Sequence, residues 1–205
     1  MGKIVLELIE NTFSKKATLT YELSILIGMD SLCYLISDRE RHIQVLKRYH
    51  FTDVHNPHGS WAKAIDHLLH AEPLLQLPYS RVYLGVLHKR LALVPARLFN
   101  DLHKRTYLEA LFQLERSEWI YADRLRAEPV QVVYALDKEV TDVLRQYFPG
   151  APTYHGVSGL IQSFKKIAET YRGFRLFLNI RTQYFQAFLF DKGNLTFYNT
   201  FEFNS

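Results

Sequence analysis

The sequence predicts a mixed α/β protein with two antiparallel three-stranded meanders and helices between them. Three observations carry that prediction. A strand–turn–strand–turn–strand pattern occurs twice, at 22–51 and at 174–203. The stretch before the second meander passes twice from strand to helix. Finally, 48% of the 205 residues are hydrophobic, with 14 Phe and 13 Tyr, which suits strands and a sizeable core.

Residues 1–21 show no clear period and are expected to be an irregular N-terminal segment. From Leu23, apolar residues alternate through Ile27, and Gly28-Met29-Asp30-Ser31 forms a turn. Leu32–Ile36 reads as the next strand, and Arg41–Phe51 follows after the turn at Ser37–Glu40. Ser60 is a candidate N-cap for a helix over 61–70, where Trp61, Ile65, Leu68 and Leu69 share a face. Pro73 closes that helix. Arg81–Leu87 and Leu91–Val94 read as strands, and helical material is expected from Pro95 to Gln113. The charged stretch 114–128 is the expected internal boundary, dividing the chain into 22–115 and 116–205.

In the second half, Val130–Leu136 is an almost unbroken apolar run, as in a strand buried on both faces. Asp137 is placed to cap a helix whose stripe is Val140, Val143, Leu144 and Tyr147. Pro149-Gly150 stops it. An extended piece at 152–155 leads to a helix with Val157, Leu160, Ile161, Phe164 and Ala168 on one side. Three strands follow, the last two joined by the turn Asp191-Lys192-Gly193-Asn194. The sequence stops just past the third strand, with Phe and Tyr on both faces of the meander. The expectation is a truncated second half, or a face covered by a partner.

Composition narrows the function classes. The formal net charge is +4, and it is not uniformly spread. Residues 81–105 hold six Lys or Arg against Asp101, and 162–181 hold five against Glu169. Basic residues so spread point to a solvated face, so nucleic-acid binding is kept only as a third reading. A single cysteine, Cys33, excludes an internal disulfide and a Cys-rich zinc site. No apolar run approaches the ~18–20 residues of a spanning helix. A cytoplasmic protein without a membrane span is expected.

The repeated meander suggests more than a fold class. A β-β-β-α-β-α unit used twice is the plan of duplicated ribonuclease-H-like, actin-like ATPases. Val132–Leu144, Phe148–Leu160 and Phe174–Phe201 with Gly193 resemble the middle and second phosphate-loop hairpin of the pilus-assembly actin homologues. Leu23-Ser24-Ile25, Leu93-Val94-Pro95-Ala96-Arg97-Leu98-Phe99 and Asn199-Thr200-Phe201-Glu202-Phe203-Asn204-Ser205 resemble an uncharacterised bacterial family with an actin-like fold. The resemblance covers almost the whole chain, and its last motif is the most specific. Members of that family continue past this motif, which agrees with truncation.

The resemblance implies where a nucleotide site would lie. Actin-like ATPases hold phosphates between two hairpin turns, each with an Asp-x-Gly pattern. The corresponding positions here are Leu26-Ile27-Gly28 and Asn179-Ile180-Arg181. Leu26 replaces the first Asp, and a leucine cannot organise Mg²⁺. The basic position later in the first pattern holds Cys33. Asn179 stands for the second Asp and Arg181 for the second Gly. The remnant positions are thus Gly28, Asp30, Ser31, Asn179 and Arg181, with Gly28, Asp30 and Ser31 also readable as ordinary turn residues. No cofactor is expected, and ATP with Mg²⁺ is the alternative.

Other candidate chemistry is weaker. His55, His58, His67 and His70 form a repeated H-x-x-H, but no carboxylate or thiol completes a metal signature. Ser158 in His155-Gly156-Val157-Ser158-Gly159 reads as a helix cap. Glu118, Asp123 and Glu128 share no period that would group them. The sequence therefore leans against an enzyme. It favours a non-catalytic actin-like scaffold or adaptor that binds another protein. The alternative is a nucleotide-binding switch or an ATPase- or kinase-like enzyme with altered phosphate loops, and a homo-oligomer stays open.

Overall fold

The computed structural model describes residues 2–51, 60–126, 128–181 and 184–203. Strand β1 spans Gly2–Ile9, β2 Glu22–Ile27, β3 Ser31–Ser37, β4 Ile43–Phe51, β5 Arg81–Val86 and β6 Leu91–Pro95. Strands β7 (Trp119–Arg124), β8 (Val130–Leu136), β9 (Thr153–His155), β10 (Phe174–Ile180), β11 (Tyr184–Asp191) and β12 (Asn194–Glu202) follow. The helices are α1 (Trp61–Ala71), α2 (Lys104–Glu109), α3 (Lys138–Tyr147) and α4 (Gly156–Ala168).

Contacts divide the chain into two compact units. One comprises Met1–His88, Leu114–Ile120 and Ala135–His155; the other comprises Lys89–Gln113, Tyr121–Tyr134 and Gly156–Ser205. The first unit is built on a six-stranded sheet of order β1-β4-β3-β2-β5-β9. Strands β2, β3 and β4 form the antiparallel meander, while β5 and β9 run parallel to β2. Leu23, Ile25 and Ile27 of β2 are buried, and Ser24 and Leu26 between them are half-exposed. That alternation is what a sheet covered more fully on one face imposes on its sequence.

Three sequence expectations change here. Residues 1–21 are not irregular throughout: β1 pairs antiparallel with β4, with a register shift between Ile4 and Leu6. Its period is invisible because an edge strand with both faces largely in water has no apolar side to mark. The short strand β9 joins β5, so residues 135–155 pack with the first meander rather than the second. The expected division at residue 116 therefore does not follow the sheets. Strand β6 leaves β5 and pairs with β8, in a separate sheet of order β6-β8-β7.

The 114–128 stretch, expected as a boundary, contains β7 and three buried carboxylates. Glu118 accepts the N–H of Glu115 at 2.8 Å, Asp123 accepts Ser158 Oγ at 2.6 Å, and Glu128 accepts Lys165 Nζ at 3.0 Å. Each acid is buried because it has its own donor, and not as a shared acidic site. Ser158 consequently lies inside α4 bonded to Asp123, rather than at its cap. The helix expected through Gln113 is shorter, consisting of a 3₁₀ turn at Asp101–His103 and α2.

The second unit ends in the sheet β10-β11-β12. Lys192 (φ 49°) and Gly193 (φ 84°) both take positive φ in the turn between β11 and β12, the geometry of a tight hairpin. At Gly193 a Cβ would come within 2.6 Å of Glu169 Cγ, so glycine is required on two counts. Helix α4 packs on one face of this sheet. Phe164 stacks on Phe177 at 4.6 Å and meets Phe188 edge-on at 5.2 Å. On the other face, Phe174, Leu176, Leu178, Ile180, Phe197 and Phe201 stay exposed.

Candidate functional site

The β2–β3 turn holds Gly28, Asp30 and Ser31 together. Gly28 N–H donates to Ser31 O at 2.7 Å, and Ser31 Oγ donates to Asp30 Oδ1 at 2.9 Å. Phe51 N–H reaches Asp30 O at 2.8 Å. The turn is also held from α1. Ser60 caps this helix through Lys63 N–H at 3.1 Å, as expected from the sequence. The capped start places Trp61 so that its indole N–H donates to Gly28 O at 2.9 Å.

Gly28 is not demanded by its own fold. Its φ is not positive, and a Cβ there would meet its neighbours at 3.4 Å or more. The turn alone therefore does not account for the glycine.

Behind the turn lies a group that the sequence did not bring forward. The Trp61 ring stacks on His88 with centroids 5.7 Å apart and planes 13° off parallel. His155 Nε2 sits 3.2 Å from His88 N and 2.9 Å from His88 O. Burial pushes the His155 imidazole down to about pH 4, so the ring is neutral at pH 7. These histidines terminate β9 or follow β5, and only the parallel pairing of those strands makes them neighbours. No local spacing signal could have found them.

Leu26, which the resemblance sets against the first loop aspartate, is engaged in packing. Leu26 pairs with Cys33 on β3 and Gly85 on β5. A Cβ on Gly85 would sit 2.9 Å from Leu26 Cδ1. The leucine thus occupies the space above the glycine, and the same rung carries Arg48, Cys33 and Tyr154. No carboxylate stands at this rung to hold a cation through water.

Asn179 and Arg181 belong to the second unit. Asn179 Nδ2 donates to Gln186 Oε1 at 2.8 Å, and Gln186 Nε2 donates to Tyr198 OH at 3.0 Å. Tyr198 OH meets Thr200 Oγ1 at 3.1 Å, and burial pushes its phenol up to about 12. The Asn179 amide is therefore engaged in a cross-strand ladder. Arg181 N–H donates to Tyr184 O at 2.9 Å, and its Nε is buried with no hydrogen-bond partner among the described residues.

The remaining candidates are placed as follows. His67 and His70 lie exposed on α1, while His55 and His58 fall outside the described residues. Among the described residues, no three His, Cys, Asp or Glu side chains are grouped to hold a metal ion. Cys33 is half-buried in β3. Several basic residues are tied up in ion pairs: Arg81 with Glu22, Lys89 with Glu202, Lys104 with Asp101, Arg105 with Glu109. Among the described residues, no helix is long and apolar enough to cross a membrane.

Residues 10–205 match the family described as "Protein of unknown function (DUF3822)". The chain belongs to the DUF3822 family. A similar solved structure is a Bacteroides thetaiotaomicron protein described as having an actin-like ATPase fold and unknown function. It aligns with a TM-score of 0.88 at 20% identity, over 95% of this chain and 75% of that one. A second is from the PilM–PilN type IV pilus biogenesis complex, with a TM-score of 0.51 at 17% identity. That alignment covers 88% of this chain and 61% of the other. No curated protein matches the sequence. This DUF3822 chain thus has the actin-like ATPase fold that the repeated meander suggested.

Proposed function

We propose that this DUF3822 protein is a non-catalytic actin-like scaffold or adaptor that works by binding another protein. The observation that carries this reading is Leu26, whose side chain fills the space over Gly85 at the position of the first loop aspartate. Cys33 in place of a basic residue and Arg181 in place of the second loop glycine support it. The PilM–PilN neighbour is described as part of a complex, and a protein-binding role is carried over from it as part of this proposal. Calorimetric titration with ATP and ADP, with and without Mg²⁺, tests the reading. No binding is expected. Low-micromolar, Mg²⁺-dependent ATP binding overturns it.

A second reading, a nucleotide-binding switch with altered loop chemistry, draws on Gly28. This glycine is required neither by its φ nor by its surroundings. A glycine at such a position leaves room for close approach of a ligand to the backbone. The same titration separates the two, since a switch retains nucleotide affinity.

A further inference from the structure

We draw no further inference here: the strongest candidate, the apolar outer face of the β10-β11-β12 sheet around Phe174, Leu176, Leu178 and Ile180, carries none because nothing in the structure shows what covers it.

Discussion

Leu26 Cδ1 lies only 2.9 Å from where a methyl group on Gly85 would sit, closer than two carbons can approach. The two residues face each other across the parallel β2–β5 pair, so neither can change size alone. Gly85→Ala is expected to cost about 1 kcal/mol by overpacking. Leu26→Ala opens a gap and costs a similar amount. The double variant should lose less than the sum, with a coupling of about 0.5 kcal/mol or more. Urea denaturation of the four proteins measures it. Strict additivity would show that the leucine does not rest on the glycine.

Trp61 holds the first turn through one hydrogen bond to a buried carbonyl. Trp61→Phe keeps a ring against His88 but leaves Gly28 O without that donor. A loss of about 1–3 kcal/mol is expected for an unsatisfied buried acceptor. Denaturation midpoints read it directly, and an unchanged midpoint would mean that water replaces the indole there.

Glu72 is the hub of a buried polar group in the first unit. It accepts from Tyr49 OH, Lys47 Nζ and the N–H of Leu74. Burial alone would raise its carboxyl, but Tyr49, Leu74 N–H and Lys47 outweigh that and hold it below the usual range. A depressed folded-state value gives stability that is present above the unfolded value of 4.5 and lost as pH falls through the folded one. Glu72→Gln should flatten this acid dependence. It should also cost about 3 kcal/mol at pH 7, because Lys47 is buried and loses one of its two carboxylate partners among the described residues, keeping Glu7 at 2.9 Å. Stability measured from pH 7 to pH 3 in both proteins checks both parts.

His155 has the opposite chemistry but the same direction with pH. Its unfolded value is 6.5 and its folded value about 4, so between these the unfolded chain binds the extra proton. Stability therefore falls as pH drops from 6.5 toward 4, and levels off below. His155→Gln, whose amide can still meet the His88 backbone, should remove this part of the slope. A wild-type slope retained by the variant would place the titration elsewhere.

What could be read from local sequence is what local physics governs. The two meanders, the cap at Ser60, the hairpin at Lys192-Gly193 and the buried run Val130–Leu136 each show a period or a turn residue within a few positions. The expectation that both Asp-x-Gly patterns are altered comes from residue identity at Leu26, Asn179 and Arg181, read through the resemblance to the actin-like ATPases. The tertiary structure decided the rest. An edge strand such as Gly2–Ile9 has no buried side to imprint a period. The pairing of Thr153–His155 with Arg81–Val86 joins residues some 70 positions apart in sequence, as does the meeting of His88 with His155. The partners of buried Asp123 and Glu128, Ser158 and Lys165, are brought in by the fold. Leu26 over Gly85 is of the same kind: the two are far apart in sequence, and only strand pairing sets one against the other.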